Sequence, residues 1–594
     1  MVQNRSSRVA PPSYLIQNAS VFDGSGADPY GADVWIEGGV IKAISHTPLP
    51  LPHGSEVVDA AGMWLMPGFI DVHTHYDAEI EIDPALRESV RHGVTTVVMG
   101  SCGLSVAVGQ PDELSDMFTR VEGMPSAYVK SLLRAVKDWD SPAGYYEHLA
   151  GLHLGPHVAC FLGHSAIRAA VMGLGRSLSA AQRPSEDELC QMNDLLEQAL
   201  DAGYLGLSVN LLAYDKMDGG VFRSRPTPSV LAKWKEYRYL CRTLRKRGRI
   251  LQTIPNIANV ATYFSFMLES IGWFRKPLKT SMVTMIDGKT ARGIHRVFGG
   301  SARLVNRWFG ADVKWQGVPV PFEIWVDGML TPFFEEFEAG GQYLHVLDMQ
   351  ARLDLLRDAD YRKRFRRQWR DVLKPRAFHR DLHQAYIVQC PDPSLQGQSF
   401  KDVAQSEGKD PVYAFLDLMH KYGNEIRWYT VIGNDRPDVL HWILAHPDFH
   451  IGFSDAGGHL RNLANYNAPL RFLKFVRDRH HAGQKTMSMG QAVRKVTSEL
   501  ADWFLLNAGR IALGARADLV VIDPRALDER VDDIQEEVMP GLPHFKRLVR
   551  RNDATVPYVF INGRLAWSHG LASETLGKRP NFGQLLRVKP DVGA

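Results

Sequence analysis

No stretch of about 18 consecutive apolar residues occurs anywhere in the 594-residue chain, which argues against a helical membrane span. Cysteine is scarce and odd in number, with five residues at positions 102, 160, 190, 241 and 390. Scattered in this way, they form no disulfide framework and fit a reducing cytoplasm. Cys160, Cys190, Cys241 and Cys390 are expected as buried small hydrophobes; Cys102 is set apart by its neighbours. One-signed charge is missing as well: 69 Lys and Arg stand against 66 Asp and Glu, a net +3. That balance gives no reason to invoke nucleic acid or a membrane surface. Met1 to Pro12 are polar and lack the apolar core of a secretory signal. The expectation is a cytoplasmic protein.

What is present is an ordinary globular composition, 45% hydrophobic and 23% charged. The length suits one large α/β barrel with a smaller domain. Both ends read as short strands and turns. Near the start, Gly38-Gly39 separates two apolar runs; near the end, Asn562-Gly563 does the same. The two ends are expected to pair into one small β-domain, residues 1–66 with 506–594. Between them, residues 67–505 alternate apolar β-runs with helix-period stretches, the pattern of a (β/α)₈ barrel. An insertion is expected at about 260–445. The basic run Arg362–Arg370 reads better as a solvated helix face than as a surface for an anionic partner.

The chemistry-bearing signals follow the β-runs. Met66-Pro-Gly-Phe-Ile-Asp-Val-His73-Thr-His75-Tyr-Asp77 ends a strand in two histidines one residue apart. Strand side chains alternate faces, so His73 and His75 point the same way and can grip one cation. The short pattern alone recurs by chance, and its company decides. Cys102 follows the run Thr95–Met99 between Ser101 and Gly103, where a thiolate can reach a metal. His164 follows the run ending at Leu162; it reads as a ligand, a group that polarises a carbonyl, or a histidine bonded to the barrel rim. Asp455 follows Phe449–Ile451 among small residues, where a carboxylate suits metal ligation and proton transfer. Imidazoles, a thiolate and a carboxylate fit zinc better than magnesium or calcium, which take oxygen donors.

These motifs resemble the amidohydrolase superfamily, in particular its N-acyl-D-amino-acid deacylase branch in a long form. The resemblance rests on Pro67–Asp77, His92–Gly103 and Gly163–Arg168. It continues through Ala202–Ser208, Ser454–His459 and Gly514–Asp523, and so covers nearly the whole chain. It implies an α/β fold, a (β/α)₈ barrel with a small β-sandwich domain built from both termini. It implies His73 and His75 as first-strand ligands, Cys102 in a metal-bridging place, and Asp455 as last-strand ligand and proton shuttle. The branch also takes two histidines from strands five and six. The matching runs here, Ile250–Pro255 and Ser281–Asp287, contain none. One Zn²⁺ rather than two is therefore expected, held by His73, His75 and Asp455 with Cys102 close or ligating; His164 and His459 are the candidates to fill the gap.

The implied reaction splits an N-acyl amino acid, D by resemblance alone, into a carboxylic acid and a free amino acid. Asp455 moves the proton and His164 helps stabilise the oxyanion. Arg168 is the first choice to hold the substrate carboxylate, against a structural salt bridge. Ser208, Tyr214 and His459 are expected around the substrate. Alternatives are opening of a cyclic amide, deamination, or a barrel scaffold without catalysis. A homo-oligomer is expected, with no nucleic-acid partner.

Overall fold

The computed structural model describes residues 12–588 other than 258 and 375. The reading of the N-terminal leader therefore lies outside the described residues except at Pro12.

Eight parallel strands make the barrel. The first is Phe69–Asp71, continued by His73–Thr74. Val94–Met99, His157–Gly163, Gly206–Asn210, Ile250–Ile254, Lys279–Met285 and Asp312–Gly317 follow. The eighth is Phe449–His450, continued by Phe453–Ala456. Each pairs with the next in parallel. The ring closes where His73–Thr74 pairs with Phe453–Ala456. Val72 N donates to Gly452 O at 2.8 Å and His75 N to Ala456 O at 2.7 Å, tightening that seam. The Ser454 hydroxyl, from the eighth strand, donates to the buried Asp71 carboxylate of the first. Helices cover the outside, and the strands are buried on both faces, as all-parallel sheets require.

The two ends of the chain share one nine-stranded sheet. Trp64–Pro67 pairs antiparallel with Leu519–Ile522, which joins the N-terminal strands to the C-terminal ones. Gly38-Gly39 makes the hairpin between Tyr30–Glu37 and Val40–Ser45. Asn562-Gly563 makes the one between Tyr558–Ile561 and Arg564–Ser568. Asp518 ties this sheet to the barrel floor. Its Oδ1 sits 2.8 Å from His157 Nε2 and accepts from Asn562 N at 2.8 Å, while Arg516 Nε donates to its Oδ2 at 2.5 Å.

The insertion is narrower than 260–445, because strands six and seven, Lys279–Met285 and Asp312–Gly317, lie inside that range. It occupies 318–448, between strands seven and eight. There a three-stranded sheet and several helices enclose an aromatic-rich core of their own. The basic run falls on helix Ala359–Trp369. Tyr361, Phe365 and Trp369, four apart, bury its inner side in that core. Arg362 pairs with Asp417, and Arg366 and Arg370 with Asp410, so the run is ion-paired rather than simply solvated. Cys160, Cys241 and Cys390 are buried; Cys190 is exposed on helix Glu186–Ala202, contrary to expectation. Among the described residues no helix is long and apolar enough to cross a membrane.

Burial alone would raise the Asp518 carboxyl, but His157 and Arg516 outweigh it and hold it well below the usual carboxylate range. The stability this contributes is complete above an ordinary carboxylate pKa and is lost as acid carries the pH down through the depressed value. Asp518→Asn should cost about 3–5 kcal/mol in denaturant unfolding at pH 7, as breaking a buried pair does. The gap from the parent should narrow as the pH falls below about 4.

Candidate metal centre

His73 and His75 leave the first strand on the same side, at the C-terminal mouth of the barrel. His73 Nε2 lies 3.1 Å from Cys102 Sγ, and His75 Nε2 lies 3.6 Å from the same sulfur. Asp455 Oδ1 is 3.2 Å from His75 Nε2 and 3.8 Å from His73 Nε2. The two imidazoles and the thiol form a cluster able to hold a metal ion, and Asp455 closes on it from the eighth strand.

The far ring nitrogens are held from behind. Gln316 Oε1, on strand seven, accepts from His73 Nδ1 at 2.6 Å. Glu122 Oε1, at the end of helix Pro111–Glu122, lies 3.1 Å from His75 Nδ1. Such partners fix the tautomer and leave Nε2 free to ligate. Gln252, on strand five, accepts from the Cys102 backbone N at 3.0 Å. Cys102, Asp455 and His459 have φ of +58°, +64° and +48°, a left-handed backbone that side chains rarely adopt. Gly457 is required for closeness: a Cβ there would stand 2.8 Å from the His75 carbonyl carbon.

The electrostatics favour a cation between these groups. Burial alone would lower His75, yet Glu122, Cys102 and Asp455 outweigh it and hold its pKa well above the ordinary value. Burial alone would raise Asp455, but the hydrogen bond from His75 and the charges of His459, His75 and His73 hold it well below the usual range. His73 is pushed down to about 3 by burial, so its ring is neutral and able to ligate. Burial pushes the Cys102 thiol up to about 12 and the Glu122 carboxyl up to about 8. A cation among the donors would draw the thiol toward thiolate.

The donors lie at the polar end of a cavity of about 730 Å³. Glu122, Tyr214, Asp215 and His459 line it beside them. Ile254 and Val283, on strands five and six, also line it and pack with Cys102 in an apolar cluster. The wall beyond is mostly apolar, built from the loops after those strands and from the insertion, and Lys289, Lys374 and Arg376 are its cations. Lys289 is engaged by Gln384 and Asp435. Arg376 has no carboxylate within ion-pairing distance among the described residues.

Three expected site residues lie elsewhere. His164 is fully buried, with Nδ1 2.7 Å from Ser229 Oγ and Nε2 3.0 Å from Glu236 Oε1, and both ring nitrogens are thereby occupied. Arg168 is buried and pairs with the other Glu236 oxygen, so the structural salt bridge replaces the carboxylate fork. Neither residue lines the cavity. Ser208 is also enclosed; its hydroxyl donates to Gly100 O at 2.6 Å and accepts from Gly103 N at 3.0 Å, bracing the turn that carries Cys102. Glu122, Gln316 and Arg376 went unread in the sequence, since no motif surrounds them. The one available signal is Glu122-Gly123, a charged residue just before a helix-ending glycine.

A family model described as "Amidohydrolase family" matches residues 56–217. An uncharacterized protein of Mycobacterium tuberculosis is 46% identical over 560 residues, covering 94% of this chain and 92% of that protein. An N-acyl-D-aspartate deacylase of Alcaligenes xylosoxydans xylosoxydans is 34% identical over 209 residues, covering 34% of this chain and 36% of its own length. Among solved structures, N-acyl-D-glutamate deacylase from Bordetella bronchiseptica, complexed with zinc and a phosphonate inhibitor, superposes with a TM-score of 0.61. It is 21% identical, with 98% of this chain and 100% of that chain covered. Over nearly its whole length the chain belongs to one family with the Mycobacterium tuberculosis protein, its residues 56–217 form an amidohydrolase-family domain, and the solved deacylase shares its fold.

Proposed function

We propose that this chain is a zinc-dependent hydrolase of N-acyl amino acids, with D substrates favoured. The observation that carries this reading is the convergence of His73, His75, Cys102 and Asp455 at the polar end of the cavity. Zinc bonds to nitrogen and sulfur of about 2.0–2.3 Å set tetrahedral donor separations of roughly 3.3–3.6 Å. The histidine distances to Cys102 and to Asp455, 3.1–3.8 Å, lie near that frame, and the two histidines with Cys102 form the mutual cluster that Asp455 adjoins through the histidines. Relatives named N-acyl-D-aspartate deacylase, D-aminoacylase and N-acyl-D-glutamate deacylase support the substrate class and the D preference. One ion is proposed, because Ile254 and Val283 present carbon where further ligands would have to stand.

Bound zinc would supply Lewis acidity and a water acidified toward a pKa of ~7. His73, His75 and Asp455 would hold it, with Cys102 as the fourth donor. Asp455, kept ionised, takes a proton from the attacking water and returns it to the leaving amine nitrogen. His459, 3.7 Å from Asp455 Oδ2, stands on the cavity side of that carboxylate. Arg376 takes the role first given to Arg168 and meets the substrate carboxylate. The apolar wall receives the remaining carbon of the substrate.

Asp455→Asn should keep the fold and most of the zinc while reducing kcat by about 10³ or more; parental turnover in that variant would remove the shuttle role. Arg376→Met should raise KM about 10-fold or more with kcat little changed, as expected for lost ground-state binding. Glu122→Gln should weaken zinc binding about 10-fold in a chelator competition, by the effect of losing a ligand's outer partner. Screening acylated D- and L-amino acids beside hydantoins separates linear-amide hydrolysis from ring opening. Elemental analysis decides against a bare scaffold, which would hold no stoichiometric zinc.

A further inference from the structure

The whole chain carries a net +3, but the charge is not evenly spread. Residues 260–311 hold eight Lys and Arg and only two acids, Glu269 and Asp287. Both acids are buried, so every exposed charge in this stretch is positive. Lys276, Arg296, Arg303 and Arg307 have no carboxylate partner among the described residues. The same stretch contains the two barrel helices Ala261–Ser270 and Ile294–Phe309, which pack through Tyr263 and Phe298, with rings 4.5 Å apart.

The outward side of the first helix is apolar, and that of the second sets Val297, Leu304 and Trp308 among Arg296, Arg303 and Arg307. Phe264 and Leu268 lie one turn apart on the first helix, and Leu304 and Trp308 one turn apart on the second. Trp273 and Phe274 stand in the connection, 61% and 95% exposed. Trp273 Nε1 donates to Trp308 O at 3.2 Å, so the aromatic end is one fixed platform. Eight of the nineteen exposed large hydrophobics of the described chain fall within residues 260–308. A soluble surface seldom gathers them in this way without a partner.

We propose that this flank docks onto an anionic lipid surface. Tryptophan, phenylalanine and leucine enter the interfacial layer while the arginines and Lys276 meet headgroup charge. Charge complementarity selects this partner over a second copy of the chain. A two-fold contact would set the same arginines against themselves. Nucleic acid would stack on the aromatic platform but leave the exposed Leu268, Val297 and Leu304 without a match. The flank also runs into the cavity. Val260 and Ile294, at the first turns of the two helices, line its wall, and the exposed Val372 and Leu373 stand at its rim. Docking therefore brings the cavity mouth to the lipid, where an amphiphilic molecule can pass between them.

The test is co-sedimentation of the full chain with phosphatidylcholine vesicles and with vesicles containing 30% phosphatidylglycerol. The expected result is binding to the anionic vesicles alone, weakened by salt. Arg303→Glu with Arg307→Glu should lower it about 10-fold or more, and Trp273→Ser with Phe274→Ser should do the same. Circular dichroism and the elution volume of each variant should match the parent. Equal sedimentation of parent and variants, or no binding to either vesicle, overturns the proposal. So does a concentration-dependent dimer that the same substitutions abolish, since the flank would then belong to a second copy. None of these outcomes depends on which amide, if any, the cavity cleaves.

Discussion

Everything at the barrel mouth depends on the pairing of the first strand with the eighth. His73 is set opposite Phe453, and the His75 amide donates to Ala456. Those contacts bring residues nearly four hundred positions apart in the chain within 3.2 Å. Asp71 and Ser454 bind the two strands just below the donors. Without the seam, the histidines and Asp455 would be isolated buried polar groups, each costly to enclose. With it, each answers another's charge.

Behind that seam the site is asymmetric. On the side of strands one, two and eight stand nitrogen, sulfur and oxygen. On the side of strands five and six stand Ile254 and Val283, which pack against Cys102. The same cavity is thus polar at one end and hydrocarbon along its length. The insertion between strands seven and eight extends the hydrocarbon side with Phe322, Ile324 and Phe333. Since the insertion leads into the strand that carries Asp455, the cavity's roof and its carboxylate are successive parts of one segment of chain.

Much of this was legible in the sequence because it is local. Alternating apolar runs and helical stretches mark the barrel strands, and glycine pairs mark the hairpins of the terminal sheet. His73, His75, Cys102 and Asp455 each follow a β-run directly, so their place at strand ends could be read. His164 also follows one, but adjacency did not show which way the next turn faces. Glu236, some seventy residues downstream, claims both its ring and the Arg168 guanidinium. Glu122 and Arg376 come from a helix end and an insertion loop, and chain position alone did not announce them. Strand seven, Asp312–Gly317, carries no site motif, so the sequence does not show that the insertion begins only after it.

Two of the donors, Cys102 and Asp455, and the neighbouring His459 hold their backbone in the left-handed region. A non-glycine residue in such a state stores on the order of 1–3 kcal/mol, and the surrounding structure must over-determine it. Relief is available through glycine or asparagine at Cys102, Asp455 or His459. A lineage selected for endurance instead of turnover would drift toward those replacements, gaining robustness as it surrendered its chemistry. Such conformations, kept in place, are the mark of a chain whose upkeep is judged by what it does.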